Sequence, residues 1–371
     1  MTDHSLKEAA RIAASAVLKC APEERILIIT NPGGDTEIIA RALYDAALDC
    51  SSFPVLIIQP VKTQFDFAEE AVIAAFESRP QVVISISKER LGKDKRGIAD
   101  PYKFDKEEYD HIFHFLLYGE QSCRSFWSPG TSLESFNRTV PIDYESLGRS
   151  CNAVSQILSA AERVHVTGPG GTDITVGLRG RTAKSDDGDF SLPGKGGNLP
   201  AGESFISPEN NTACGTIVFD GSISLFNKDI VINNPICCQV ENGFITEISG
   251  KDEAAALMET INKAEQDALD YEKDGRIPKG QGTEYAKNAR NIGELGIGMN
   301  PAARIAGAML EDEKAFKTCH FAVGHNYDND APAFIHLDGL VKEPTITAFL
   351  PDGKTVLIEQ DGELLVGKAQ F

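Results

Sequence analysis

Alternating strand and helix signals over the first 140 residues predict an α/β domain with a mostly parallel, doubly wound sheet. Irregular, strand-rich sequence beyond them predicts a second, mixed α+β domain. Three observations carry this reading. Short runs such as Arg25-Ile26-Leu27-Ile28-Ile29-Thr30 and Gln81-Val82-Val83-Ile84-Ser85-Ile86 are too short for helices, and they read as strands buried on both faces. Stretches with apolar residues at helical spacing separate them. From about residue 142 onward, turn residues break the chain into short strands around a few helices. The boundaries drawn are 1–141 for a Rossmann-like α/β domain and 142–371 for the α+β domain, and 371 residues suit two such units.

The elements follow in order. Leu6 to Cys20 has helical spacing. The strand at 25–30 runs into Asn31-Pro32-Gly33-Gly34-Asp35, where Asp35 is placed to cap a helix from Thr36 to about Asp49. Only two adjacent glycines occupy this turn, whereas a dinucleotide cradle needs G-x-G-x-x-G spacing, so a plain tight turn is favoured. Pro54 to Ile58 is a strand, about Phe67 to Glu77 an Ala-rich helix, and Gln81 to Ile86 and His111 to Leu117 two more strands. Ser122 to Pro141 reads as a link. A helix from about Asp143 to Ala161 precedes strands at Val164 to Thr167 and Ile174 to Val176, joined by Gly168-Pro169-Gly170-Gly171-Thr172-Asp173. Asp186 to Gly202 is rich in Gly, Asp and Pro and reads as a long irregular loop, of the kind that is functional or disordered. Short strands fill Thr212 to Ile248 and end in a hairpin around Asn242-Gly243. A helix covers about Asp252 to Tyr271, and strand signals resume near the C-terminus.

Composition excludes several functions. With 36 basic against 55 acidic residues the net charge is −19, which repels phosphate backbones and anionic lipid, and no basic patch offsets it. Nucleic-acid and membrane partners are therefore not expected. No run reaches the roughly 18 apolar residues of a membrane helix. The N-terminus has neither the basic nor the apolar region of a secretory signal, so a cytoplasmic protein is expected. Its eight cysteines form no C-x-x-C pair and read as free thiols, not as a disulfide framework or zinc knuckle.

The chemistry concentrates in the second part. Of seven histidines, three fall between 320 and 336. In Ile335-His336-Leu337-Asp338 the imidazole and the carboxylate are two apart, which on a strand turns both to one face. That pairing suits zinc, manganese, cobalt or non-heme iron. Glu203 and Glu294 sit among glycines and aliphatics, in Asn198-Leu199-Pro200-Ala201-Gly202-Glu203 and Asn291-Ile292-Gly293-Glu294-Leu295-Gly296. Such carboxylates are either turn-tip residues or buried groups held by a partner or a metal. His325 is a candidate proton shuttle or a support behind a metal ligand, Cys319 a packing residue, and the acidic Glu311-Asp312-Glu313 is read as scaffold.

Four ordered segments, Asn198 to Glu203, Glu294 to Pro301, Leu310 to Lys314 and Ile335 to Asp338, together resemble the M29 family of metallo-aminopeptidases, the aminopeptidase T-like or leucyl aminopeptidase-like enzymes. The resemblance covers most of the chain from about residue 140. It implies a cytoplasmic, usually homodimeric exopeptidase that removes the N-terminal residue of a small peptide or aminoacyl substrate. It also implies two divalent ions (zinc, cobalt or manganese) in the second domain, with Glu203, Glu294, His320, His336 and Asp338 as metal ligands. Tyr327, seven residues after His320, falls where the family has a catalytic tyrosine. Two divalent cations would activate a bridging water, and the tyrosine would stabilise the oxyanion.

The chain departs from the larger peptidases in its short interval from His320 to His336. A related branch, the 2,5-dihydroxypyridine dioxygenases, uses one Fe(II) held by two histidines and an aspartate, which His320, His336 and Asp338 would supply here. The main expectation is the two-metal hydrolase. The alternatives are this mononuclear iron dioxygenase and a non-catalytic metal- or ligand-binding protein.

Overall fold

The computed structural model describes residues 3–63 and 65–367. It divides into two units, one of Met1–Tyr144 with Gly188–Ala201 and one of Glu145–Asp187 with Gly202–Phe371. The predicted class holds: a parallel α/β unit and a mixed α+β unit.

In the first unit a five-stranded sheet runs in the order Gly196–Asn198, Arg124–Trp127, Val82–Ile86, Arg25–Thr30, Phe53–Ile58, with every pair parallel. Alternate strand residues feed two cores. Ile26, Ile28, Val82 and Ile84 pack with residues of the helices Asp3–Ile12 and Gly34–Asp49. Leu27, Ile29 and Val83 pack with Val72, Ile73 and Phe76 of the helix Glu70–Glu77. Burial on both faces explains why these strands read as unbroken apolar runs.

Three local expectations are corrected. His111 to Leu117 is helical, beginning with Ile112–His114, because the His111 Nδ1 accepts the Phe113 N–H and starts a helical turn. The fourth strand is Arg124–Trp127, inside the segment read as a link, where Arg124 pairs with Glu24 at 2.7 Å. Asp35 lies within its helix, not at the cap. Gly33 precedes that helix, and its N–H donates to Glu37 at 2.6 Å.

The second unit holds two antiparallel sheets. One has the order Lys228–Val231, Ser222–Leu225, His336–Lys342, Thr318–Gly324, Ile292–Gly298, Glu203–Ile206, Lys184–Asp186. The other has eight strands, among them Arg163–Thr167 and Asp173–Gly177, the predicted hairpin pair. The hairpin between Ile236–Glu241 and Phe244–Ser249 turns on Asn242 and Gly243, both at positive φ, as a type I′ turn requires. Among the described residues no helix is long and apolar enough to cross a membrane.

One buried acid in this unit sets a pH dependence. Glu359, on the strand Thr355–Gln360, is pushed by burial up to about 8, and its Oε2 accepts no hydrogen bond. A folded-state value above the unfolded one means the native state holds this proton more tightly. Its stability contribution is therefore intact below about pH 4.5 and lost as pH rises toward 8. Glu359→Gln is expected to flatten the fall in stability between pH 5 and 8, with a gain of a few kcal/mol at the alkaline end. Urea unfolding at both pH values reads this, and parallel curves for the two proteins would refute it.

Candidate metal centre

One face of the seven-stranded sheet gathers the predicted residues, and its register explains how. Residues paired across antiparallel strands share a face. Across two neighbouring strand pairs, Glu294 lies opposite Ala322 and Ala322 opposite Asp338, while Gly324 lies opposite His336. A small residue at 322 lets the two carboxylates reach toward each other over it. One row along, Phe205 lies opposite Gly296 and Gly296 opposite His320. Beyond these, Glu203 pairs with Asp186 and Phe205 with Lys184 on the edge strand.

The side chains meet as this register dictates. His336 Nε2 lies 3.3 Å from Asp338 Oδ1 and 3.6 Å from Glu294 Oε2. His320 Nε2 lies 3.2 Å from Glu294 Oε1 and 3.6 Å from Glu203 Oε2. One ligand atom from each of Glu294, His336 and Asp338 falls within 4.8 Å of the other two. The structure therefore brings all five predicted ligands into one cluster, but the tight triad contains Glu294 and excludes His320. His336 Nδ1 donates to the His325 carbonyl at 2.8 Å, which fixes the tautomer and leaves Nε2 facing the carboxylates. His325 thus acts through its backbone.

Sequence reasoning missed Lys314. Its side chain is fully buried, and Nζ donates to Glu203 Oε1 at 2.6 Å and to Glu313, with Asp186 at 3.8 Å. The only signal was a lysine closing an acidic run ahead of Ala315-Phe316. Glu311 and Asp312, read as scaffold, are buried; Glu311 accepts the Arg304 N–H, and Asp312 accepts those of Ala306 and Gly307.

Electrostatics identify what the cluster is built to hold. Five carboxylates (Asp186, Glu203, Glu294, Glu313 and Asp338) surround one ammonium and two imidazoles. Burial pushes the Glu294 carboxyl up, and Glu313 to about 8. Burial opposes charge on the histidines, yet the hydrogen bond His320 donates to Glu294 and the charges of Glu203 and Asp338 outweigh it and hold His320 at about 9. Asp338 and Glu294 likewise hold His336 at about 10. Glu203 Oε2, Glu294 Oε2 and Asp338 Oδ1 are buried and accept no hydrogen bond. Buried acceptors without donors, in an excess of negative charge, are what a divalent cation satisfies. The donor set fits one.

Tyr327 stands at the edge of this cluster, 46% exposed. Its ring packs against His336 at 4.9 Å and Phe205 at 5.4 Å between centroids. Arg181 clamps the turn that carries it, bonding Asp328 at 3.0 Å and Asp330 at 2.9 Å. Partial enclosure and the carboxylates of Glu294 and Asp338 push the phenol above its ordinary value, so it stays a hydrogen-bond donor.

Residues 131–323 match the family model for 2,5-dihydroxypyridine 5,6-dioxygenase, NicX. A Pseudomonas putida KT2440 protein described as 2,5-dihydroxypyridine 5,6-dioxygenase is 32% identical over 164 residues. That alignment covers 43% of this chain and 46% of the relative, so it spans about half the relative's length. Among solved structures, a 2,5-dihydroxypyridine dioxygenase from the same strain matches with TM-score 0.71 at 17% identity, over 98% of both chains. AmpT from Thermus thermophilus matches with TM-score 0.65 at 17% identity, covering 98% of this chain and 99% of its own. Likeness at that identity shows the fold, which the two share with this chain. The metallo-aminopeptidase expectation, with its hydrolase and proteolysis reading, is overturned: the family model and the sequence relative both name a dioxygenase. Glu203, one of the carboxylates expected to hold the second ion, accepts a hydrogen bond from Lys314 Nζ at 2.6 Å.

Proposed function

The chain belongs to the 2,5-dihydroxypyridine 5,6-dioxygenase family, and from that premise we propose that it is a metal-dependent, ring-cleaving dioxygenase acting on a dihydroxylated aromatic or heteroaromatic ring. Glu294, His336 and Asp338 would hold a single Fe(II), and the observation that carries this is their convergence within 4.8 Å while Glu203 is bonded to Lys314. Bound there, iron supplies the redox chemistry that lets dioxygen add both its atoms across a ring bond. The protein's own groups do the rest. The His325 carbonyl orients His336, and His320 donates to Glu294 and holds its carboxylate in place. Tyr327, half-exposed beside His336, is assigned a hydrogen bond to an oxygen of the substrate.

The test is anaerobic reconstitution with Fe(II), elemental analysis, and oxygen uptake with 2,5-dihydroxypyridine. About one iron per chain and one dioxygen consumed per ring opened are expected. Two zinc equivalents with hydrolysis of aminoacyl substrates and no oxygen uptake would defeat the proposal. Asp338→Asn should lower iron affinity at least about tenfold, in line with losses at weaker metal contacts, while leaving the far-UV spectrum unchanged.

A further inference from the structure

The aromatic wall beside the triad carries a cation that the proposed ligand set does not use. Lys184 lies opposite Phe205 on the edge strand, and its Nζ sits 6.0 Å from the Phe205 ring centroid and 5.3 Å from that of Tyr327. The Tyr327 ring in turn lies 4.9 Å from His336. The other cations nearby are engaged: Lys314 by Glu203 and Glu313, Arg181 by Asp328 and Asp330, His320 by Glu294 and His336 by Asp338. Among the described residues, Lys184 has no carboxylate partner of its own. It is exposed, so water reaches it, and it stands over two rings that a flat ligand would stack against.

We propose that Lys184 is the substrate-anchoring residue of this site, and that the ring it selects carries a carboxylate in addition to its hydroxyl groups. The inference rests on the ring-cleaving reading above and names the substrate class within it. On this face the proposed iron is taken up by Glu294, His336 and Asp338, and the buried Lys314 by Glu203 and Glu313, so among the described residues Lys184 is the cation left to meet a ring's carboxylate. Lys184 can approach a carboxylate from the solvent side while the ring lies along Tyr327 and Phe205, its hydroxylated edge toward His336. An ammonium suits this role because it is a compact charge on a flexible stem, free to leave the rings for a stronger partner.

The test uses a matched pair of rings, 2,5-dihydroxybenzoate and hydroquinone, which differ only by the carboxylate. Calorimetric titration of the zinc-loaded protein reads binding without turnover. Wild type should bind the benzoate at least about tenfold more tightly than hydroquinone, with a ratio that shrinks as salt rises. Lys184→Met should erase the ratio and leave the hydroquinone affinity unchanged, and Lys184→Arg should restore most of it. If Lys184→Met weakens both rings equally, or neither, the anchoring role is overturned even where the iron-loaded protein opens dihydroxypyridine. If wild type binds neither ring and takes up no oxygen, the ring-cleaving reading itself has failed and this inference falls with it.

Discussion

Lys314→Met is expected to destabilise the second unit more than any other single change in the centre. Its ammonium is fully buried and holds Glu313, Glu203 at 2.6 Å and Asp186 at 3.8 Å. Those contacts raise the lysine well above its ordinary value, against the burial that would lower it, so the group is charged at every working pH. Removing one member of a buried ion cluster leaves the others uncompensated, at a cost of about 3–5 kcal/mol. For a unit of this size that is a fall of about 10 °C in melting temperature. Lys314→Arg should not rescue it, since a wider, planar guanidinium has no room where no solvent reaches. Thermal unfolding of metal-free protein reads the effect, and a melting temperature within 2 °C of wild type would refute it. Glu203→Gln offers a second view: it should weaken the cluster less, because Lys314 retains Glu313.

Lys314 also marks the limit of what the sequence discloses. The parallel strands were legible because burial on both faces writes an unbroken apolar run, as in Ile26 to Ile29 and Val82 to Ile86. The pair His336 and Asp338 was legible because period-two spacing on a strand fixes a common face. The strand Arg124–Trp127 was not, since Arg-Ser-Phe-Trp carries a charge whose partner, Glu24, lies a hundred residues away. His111 to Leu117 failed for the opposite reason: five apolar residues with two histidines fit a strand or a helical turn equally, and a side-chain cap settled it. The candidate ligands came mostly from resemblance, but which of them form the tight triad depends on register. That Glu294 joins His336 and Asp338 while His320 hydrogen-bonds from the side follows from Ala322 and Gly296 standing between them, and no local pattern shows this. Lys184 drew no notice because a lysine on an edge strand is ordinary; only the rings beside it, Phe205 and Tyr327, from strands and turns far away in sequence, give it a setting.

Gly296→Ala should disable the centre while the sheet survives. The backbone at 296 is ordinary strand, paired on both sides with Phe205 and His320, so alanine strains no dihedral angle there. The obstacle is the imidazole. A Cβ at 296 would stand 2.0 Å from His320 Nε2 and 2.1 Å from Cε1, because the ring lies across the space where a side chain would be. His320 must therefore swing away and lose its 3.2 Å contact with Glu294, freeing a carboxylate of the triad to rotate. Overpacking of this kind costs about 1–3 kcal/mol, whereas misplacing a metal-holding carboxylate by an ångström costs about 10²-fold in rate. A modest fall in melting temperature with a far larger loss of oxygen uptake and bound iron is the expected result. The double variant Gly296→Ala/His320→Ala isolates the cause. With the ring gone the three atoms nearest the added methyl, all of His320, are gone with it, so the pair should lose no more activity than His320→Ala alone, a strongly non-additive cycle. Additive losses would place the role of Gly296 elsewhere, in the backbone and not in the ring that lies over it.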